Sequence, residues 1–358
     1  YYINTFLDQH SITDVVLLGE QRALHRVAIE AAKERFITVT VTDFGYIRPD
    51  WVIVELNGMN ADSLFPRDPQ AIHALAKDLP PVERAVIYRD GFFSQAMLDM
   101  TFHLSSALFP WTFPYFKRHT LQHPITNYLG IGRRLVLAGV EERRTRKVLE
   151  QLSAVPGLKY IFAMQTEDDY SLRAYSHYAN LDTPMREAIQ SFARHAPPDS
   201  VLIFKVHPLD PELKNWRSMI ERMANEAGVG RRVIYIDGGD LDKLIATSAG
   251  VVTVNSTVGL RAIELGLPIL ALGQAIYRIH GLTHEAGLDD FWINGCAPEP
   301  SLANAFLRAL AATLHVRGSY YTREGVRAAA EGMAYRLHHN LVNQPLPAVL
   351  RGETLSLE

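Results

Sequence analysis

Apolar and polar positions alternate in strand-length and helix-length blocks along most of this chain, and the clearest block spans residues 251–277. Val251, Val252 and Val254 form a short apolar run that suits a parallel strand covered on both faces. Gly266-Leu267-Pro268 ends the helix that follows and opens a second strand over 269–272. The polar turn Asn255-Ser256-Thr257 lies between the first strand and the helix. Earlier blocks repeat the alternation, with strands predicted over 160–164, 201–206 and 233–236 and helices over 184–195, 211–227 and 241–248. Strand-helix pairs of this length predict a doubly wound parallel sheet.

Nearer the start, a strand over 14–18 ends at Gly19-Glu20, and a helix over 22–36 aligns Leu24, Val27, Ala28 and Ala31 on one face. A β-branched strand over 37–41 follows and ends in a loop, 43–49, where Gly45 is expected at positive φ and Pro49 bars a helix. The strand-helix unit that would open a nucleotide-type domain is missing, so the chain reads as truncated at its start. Residues 60–150 read as helical and irregular, and helices over 301–314 and 323–338 are expected to pack back across the domain junction.

A chain of 358 residues exceeds one ordinary core. Two α/β domains are expected, 1–150 with the crossover and 151–340, followed by a tail over 341–358. Hydrophobic residues at 47% and charged residues at 21% exclude general disorder. No apolar run approaches the roughly 20 residues of a membrane span, and the first residues do not form a signal peptide, which points to the cytoplasm. Cys296, the single cysteine, permits no internal disulfide and reads as a passive half-buried residue. Between Lys117 and Lys147 eight basic residues face only Glu141 and Glu142, just after the aromatic run FPWTFPYF over 109–116. That pairing suits an anionic membrane surface; nucleic acid is the electrostatic alternative, and a solvated basic face is the plain one.

The predicted strands of the second domain end in polar residues: Gln165, His207-Pro208 and Asn255-Ser256-Thr257. Parallel strand ends converge on one edge, where ligands bind. The Asn-Ser-Thr turn offers unpaired N–H groups and two hydroxyls to an anion, phosphate first, unless those hydroxyls only cap the helix. Pro208 holds His207 extended, so its imidazole can hydrogen-bond a departing phosphate or give it a proton, or else be satisfied by a carbonyl. Asp43 in the glycine-containing loop can act as base or nucleophile, or serve as an Asx-turn residue. Asp240-Leu241-Asp242 resembles a metal-binding pair, but helix capping explains it more simply. His119 and His123 lack the glutamate of a zinc helix. Glu167-Asp168-Asp169 reads as a solvated loop. Glycine-rich dinucleotide, Walker and nucleophile-elbow motifs are absent, which disfavours dehydrogenases, P-loop kinases and α/β-hydrolases.

Five segments together resemble the bacterial capsule polysaccharide biosynthesis and export proteins, β-Kdo transferases of the capsule lipid linker. They are GEQRALHRVA at 19–28, DFGYIRPDW at 43–51, QTEDDYSLRAYS at 165–176, KVHP at 205–208 and NSTVGLRAIELGLPILALGQAIY at 255–277. GYIRPDW and RAYS look most like the member that adds the first Kdo to phosphatidylglycerol. The resemblance implies a GT-B-like α/β fold of two Rossmann-type domains facing a cleft, an acceptor-side domain first and a nucleotide-sugar domain second. It implies CMP-β-Kdo as donor and retention of configuration, and because CMP phosphate is a good leaving group no metal or cofactor is expected. Bacterial sialyltransferases are also similar, through acidic-acidic-Gly, HP and paired-hydroxyl motifs that match Asp43-Phe44-Gly45, His207-Pro208 and Ser256-Thr257. Phe44 departs from that pattern and leaves Asp43 as the candidate carboxylate.

The expected site therefore has Asp43 and His207 as catalytic groups. Lys205, Asn255, Ser256, Thr257, Glu264 and Gln165 would hold the donor, with Glu264 on the ribose, and Gly45, Arg48 and Tyr46 would meet substrate. Lys205 or Arg48 would pair with the Kdo carboxylate. Expected partners are CMP-Kdo, an anionic phospholipid acceptor, the inner-membrane surface and other capsule assembly proteins, with no nucleic acid. The alternatives are a non-catalytic export or scaffold protein that binds lipid-linked glycan, and a nucleotide-sugar epimerase or transferase with a UDP donor.

Overall fold

The computed structural model describes residues 2–88, 92–109, 111–112, 122–154 and 156–346. In chain order the elements begin with α1 (Tyr2–Gln9), β1 (Asp14–Leu18), α2 (Ala23–Lys33), β2 (Thr38–Phe44), β3 (Trp51–Leu56), α3 (Pro69–Ala76) and α4 (Phe92–Leu108). They continue with α5 (Pro124–Ala154), β4 (Lys159–Ala163), α6 (Tyr170–Ala174), α7 (Asp182–His195), β5 (Val201–Lys205), α8 (Trp216–Glu226) and β6 (Val233–Ile236). The last are α9 (Leu241–Ala246), β7 (Gly250–Thr253), α10 (Val258–Glu264), β8 (Ile269–Ala271), α11 (Leu288–Asn294), α12 (Pro300–Leu314), β9 (His315–Arg317) and α13 (Arg323–His338). The chain divides into two compact units, residues 1–119 with 305–358, and residues 120–304.

The second unit carries a five-stranded sheet in the order β6-β5-β4-β7-β8, parallel throughout. Its strands are buried on both faces, as their continuous apolar runs require, and Phe162, Phe192, Phe204 and Trp292 fill the core against them. β5 and β6 extend to one side of β4 and β7 and β8 to the other, so the strand order reverses between β4 and β7. Cys296 is exposed rather than half-buried, at the end of the α11 segment.

The first unit's sheet, β1-β2-β3-β9, is mixed: β1 and β2 are parallel, while β3 and β9 are antiparallel to their neighbours. β3 was not legible in the alternation, and its pairing corrects the reading of Asp43. The ladder carries β2 on to Phe44, Asp43 lies opposite Ile53, and residues 45–50 reverse the chain instead of opening a loop after the strand. Gly45 does not take positive φ. Its N–H donates to Trp51 O at 2.8 Å, and a Cβ there would stand 2.5 Å from both Ile47 O and Trp51 O. Glycine is needed for close approach of backbones, not for dihedral freedom.

Two buried titratable groups hold this turn. The Tyr46 and Ile47 N–H groups donate to His315 Nε2 at 3.0 and 3.4 Å, so Nδ1 carries the ring proton and donates to Leu310 O at 2.9 Å. Arg336, buried on α13, donates to the His315, Ala312 and Thr313 carbonyls around it. Tyr46 OH and Ser63 Oγ donate to Glu55 at 2.9 and 2.6 Å. Burial lowers the His315 imidazole to about 4 and raises the Glu55 carboxyl to about 8.

The two groups have opposite pH signatures. Unfolded His315 takes its proton near 6.5 but folded His315 only near 4, so its stability contribution is full above 6.5 and is lost as pH falls toward 4. Unfolded Glu55 ionises near 4.5 but folded Glu55 near 8, so its contribution is full below 4.5 and is lost as pH rises toward 8. They oppose each other in the overlap, and each is read as wild type minus variant. Urea unfolding of His315→Gln should show an acid-side slope smaller by about 3 kcal/mol in total. Glu55→Gln should flatten the other limb, and a variant whose pH curve parallels wild type would refute the corresponding assignment.

Candidate functional site

The carboxyl edge of the second unit's sheet gathers several of the expected residues. Gln165 follows β4 and Asn255 follows β7, on either side of the point where strand order reverses, and both are buried. Gln165 Nε2 donates to Asn255 Oδ1 at 2.8 Å, and the Asn255 N–H donates to Gln165 Oε1 at 3.0 Å. Asn255 Nδ2 donates to Ser171 O at 2.6 Å. Gln165 Nε2 also donates to Asp169 Oδ2 at 2.9 Å, and Asp169 Oδ1 caps α6 through the Ser171 N–H. The acidic loop read as solvated is thus built into the site: Asp169 orients Gln165, and Glu167 accepts from Lys214 at 2.6 Å.

At the turn after β7, the backbone N–H groups expected to be unpaired are largely used. Val258 N–H donates to Ser256 Oγ at 3.3 Å, Gly259 N–H to Ser256 O and Leu260 N–H to Thr257 O. Thr257 is the N-cap residue, yet its side chain makes no capping hydrogen bond. Tyr277 OH fixes the turn by donating to Ser256 O at 2.6 Å, across Gly259, where any Cβ would strike the Tyr277 ring. Capping therefore accounts for Ser256 but not for the Thr257 hydroxyl.

His207 follows β5 and is half-buried. The Leu209 N–H donates to its Nδ1 at 3.1 Å, which leaves the proton of the neutral ring on Nε2. Lys205 is buried, with Nζ donating to Val206 O at 3.4 Å. Burial depresses its ammonium, opposed by the charge on Asp237 and reinforced by that on Arg134. That burial corrects the expectation of a lysine open to a sugar carboxylate. Glu264, expected on a ribose, accepts from Arg261 Nη1 at 2.8 Å, and Arg261 also forks onto both Asp242 oxygens. Asp240 accepts from the Asp242 and Lys243 N–H groups as the cap of α9. Among the described residues no group of three or more His, Cys, Asp or Glu could hold a metal ion.

In the first unit, Asp43 Oδ1 accepts from the Phe44 N–H at 2.7 Å. A Cβ at Gly19, which has φ +71°, would stand 3.2 Å from Asp43 Oδ2, so the end of β1 closes on this carboxylate. The next residue, Glu20, is buried, and burial raises its carboxyl, with the charge on Asp43 adding to the rise. Arg48 is exposed, its guanidinium 5.6 Å from the Phe44 ring centroid and its Nε donating to Gly45 O at 3.3 Å. Tyr46 and Gly45, expected to meet substrate, are buried instead. The Tyr46 hydroxyl donates to Glu55 and accepts from the Asn60 N–H.

Three residues went unrecognised. Glu20 lies just beyond the end of β1 and Asp43 one residue before the end of β2, so the strand-end reasoning used for the second unit could have found it. Asp169 carried a signal in its spacing from Gln165. Arg134 of α5 had none: it pairs with Asp237 and donates to the His207 and Pro208 carbonyls at 3.2 and 2.9 Å, clamping the loop that presents His207. Its partners are more than 70 residues away in sequence. The aromatic run over 109–116 and Lys117-Arg118, assigned to a membrane surface, lie mostly outside the described residues, as does His119.

A family profile described as "Capsule polysaccharide biosynthesis protein" matches residues 13–321. The chain is 30% identical to Capsule polysaccharide export protein KpsS of Escherichia coli, over 87% of this chain and 80% of that protein. It is 26% identical to Capsule polysaccharide modification protein LipB of Neisseria meningitidis serogroup B, over 90% of this chain and 78% of that one. Among solved structures, a β-Kdo 2,7 transferase, KpsC of Thermosulfurimonas dismutans, aligns with a TM-score of 0.46 at 13% identity. That alignment covers 94% of this chain and 88% of the other.

Proposed function

Because the chain belongs to the capsule polysaccharide biosynthesis protein family, we propose that it is a retaining, metal-independent glycosyltransferase moving Kdo from CMP-β-Kdo to a phosphatidylglycerol-type lipid. It would act in building the capsule linker, as a peripheral protein on the cytoplasmic face of the inner membrane, alongside other capsule assembly proteins. Among the described residues no helix is long and apolar enough to cross a membrane.

One observation carries the reading: the reciprocal Gln165–Asn255 pair stands at the reversal of strand order, with His207 at the end of the neighbouring strand β5. Open parallel sheets bind nucleotides at that place. CMP would lie on the second unit, its phosphate beside the Thr257 hydroxyl and His207 Nε2–H. Charge builds on that phosphate as the glycosidic bond breaks, and a positioned N–H donor stabilises it there. Asp43, with Glu20 beside it, would attack the anomeric carbon or take the acceptor's proton, and Arg48 would pair with the Kdo carboxylate.

The test is incubation of the protein with CMP-Kdo and phosphatidylglycerol, followed by a search for a Kdo-lipid product, together with calorimetric titration of CMP and UDP. A product and a preference for CMP are expected. Preference for UDP would sink the Kdo assignment. Glycan binding with no product from any donor would favour the non-catalytic reading, that of an export protein, as the Escherichia coli relative is named.

A further inference from the structure

The long helix α5 has two unlike faces. At 3.6 residues per turn, Gly130, Arg134, Glu141, Thr145 and Leu149 share one side. That side packs onto the second unit: Gly130 lies against Pro211, Arg134 pairs with Asp237, and Glu141 pairs with Arg217. Thr145 Oγ1 donates to Asp237 O at 2.7 Å.

On the opposite side Ile125, Leu129, Val136, Val140, Arg143 and Lys147 fall in an arc of about 60°. The four apolar members are 62%, 69%, 83% and 61% exposed. Gly132 and Gly139 flank them, with nothing within 4 Å of where a Cβ would stand. Arg133, Arg144 and Arg146 pair with Glu212, Glu141 and Glu142, whereas no ion pair engages Arg143 or Lys147 among the described residues. The face is thus apolar over its first half and cationic over its second. Monomers rarely expose an apolar line of this kind.

We propose that this face of α5 docks on an anionic phospholipid bilayer, Ile125 to Val140 entering the acyl boundary while Arg143 and Lys147 meet headgroup phosphates. The proposal rests on the lipid acceptor read above and assigns the surface that brings the enzyme to it. Charge selects the occupant. A second copy laid parallel on this face would set cations against cations, and one laid antiparallel would set them on bare valine and leucine. An anionic interface satisfies both halves together.

Co-sedimentation of the full chain with vesicles of phosphatidylglycerol and phosphatidylcholine tests it, against vesicles of phosphatidylcholine alone. Wild type should partition to the anionic vesicles, and less so as salt rises. The double variants Val136→Asp/Val140→Asp and Arg143→Glu/Lys147→Glu should each weaken partition at least tenfold, with thermal melting and the CMP titration unchanged. The charge-matched control Arg222→Glu/Arg231→Glu, on exposed positions of the same unit, should partition like wild type. Equal partition of all variants overturns the assignment of this face. A wild type indifferent to anionic vesicles overturns the lipid, and a dimer abolished by Val136→Asp/Val140→Asp without vesicle binding assigns the face to a second copy. Failure of the nucleotide reading appears separately, as absence of heat with CMP whatever the vesicles do.

Discussion

Replacing His207 with alanine is expected to slow Kdo transfer by about 10²- to 10⁴-fold, the range for removal of one positioned proton donor. That corresponds to roughly 3 to 5 kcal/mol of transition-state stabilisation. The Leu209 N–H occupies Nδ1, which fixes the tautomer, and Arg134 clamps the carbonyls on either side of the His207–Pro208 bond, so the ring is held in one orientation. The loss should therefore fall on kcat, because the phosphate becomes a better acceptor only as it leaves. CMP affinity should change by much less. His207→Gln, which keeps an N–H donor but no titratable proton, should recover part of the loss. Equal losses in both variants would make the role proton transfer; no loss in either would remove His207 from the mechanism. Asp43→Asn should be as damaging. Intact mass of wild type mixed with donor alone separates its two roles, since a nucleophile leaves a covalent sugar and a base does not.

Gly45→Ala is expected to destabilise the first unit by about 3 kcal/mol or more, because its Cβ meets two backbone carbonyls rather than side chains that could turn aside. Relief requires the 45–51 turn to open. Opening it breaks the Gly45–Trp51 hydrogen bond and draws the Tyr46 and Ile47 N–H groups off buried His315. The contrast is Gly132→Ala, where nothing stands within 4 Å and the helix should gain about 0.5–1 kcal/mol from the lost glycine. Denaturant melts followed by hydrogen exchange of the β2 and β3 amides would report the first unit. A Gly45→Ala melt within 1 kcal/mol of wild type would contradict the close approach.

The strands of the second unit were legible within a residue or two, because a parallel strand buried on both faces must be a continuous apolar run and its helix must end in a breaker. The polar residues at strand ends were legible for the same reason. Sheet geometry puts them on one edge wherever the strands run parallel. The mixed first sheet was only half legible: β3, WVIVEL, is as apolar as its neighbours, and nothing local says that it pairs antiparallel.

What the sequence by itself determined is therefore the periodic part: the α/β class, the second unit's strand-helix order, and the row of Gln165, His207 and Asn255 along one edge. Tertiary structure alone decided the rest. It buried Tyr46 and Lys205 and brought Arg134 to the His207 loop. Periodicity is set by neighbours within one turn or one pleat, whereas the burial and partner of a polar side chain are set by atoms from segments far apart in the chain. Arg134 and Asp237 are 103 residues apart, and Tyr46 and His315 are 269 apart. No local pattern encodes such a distance.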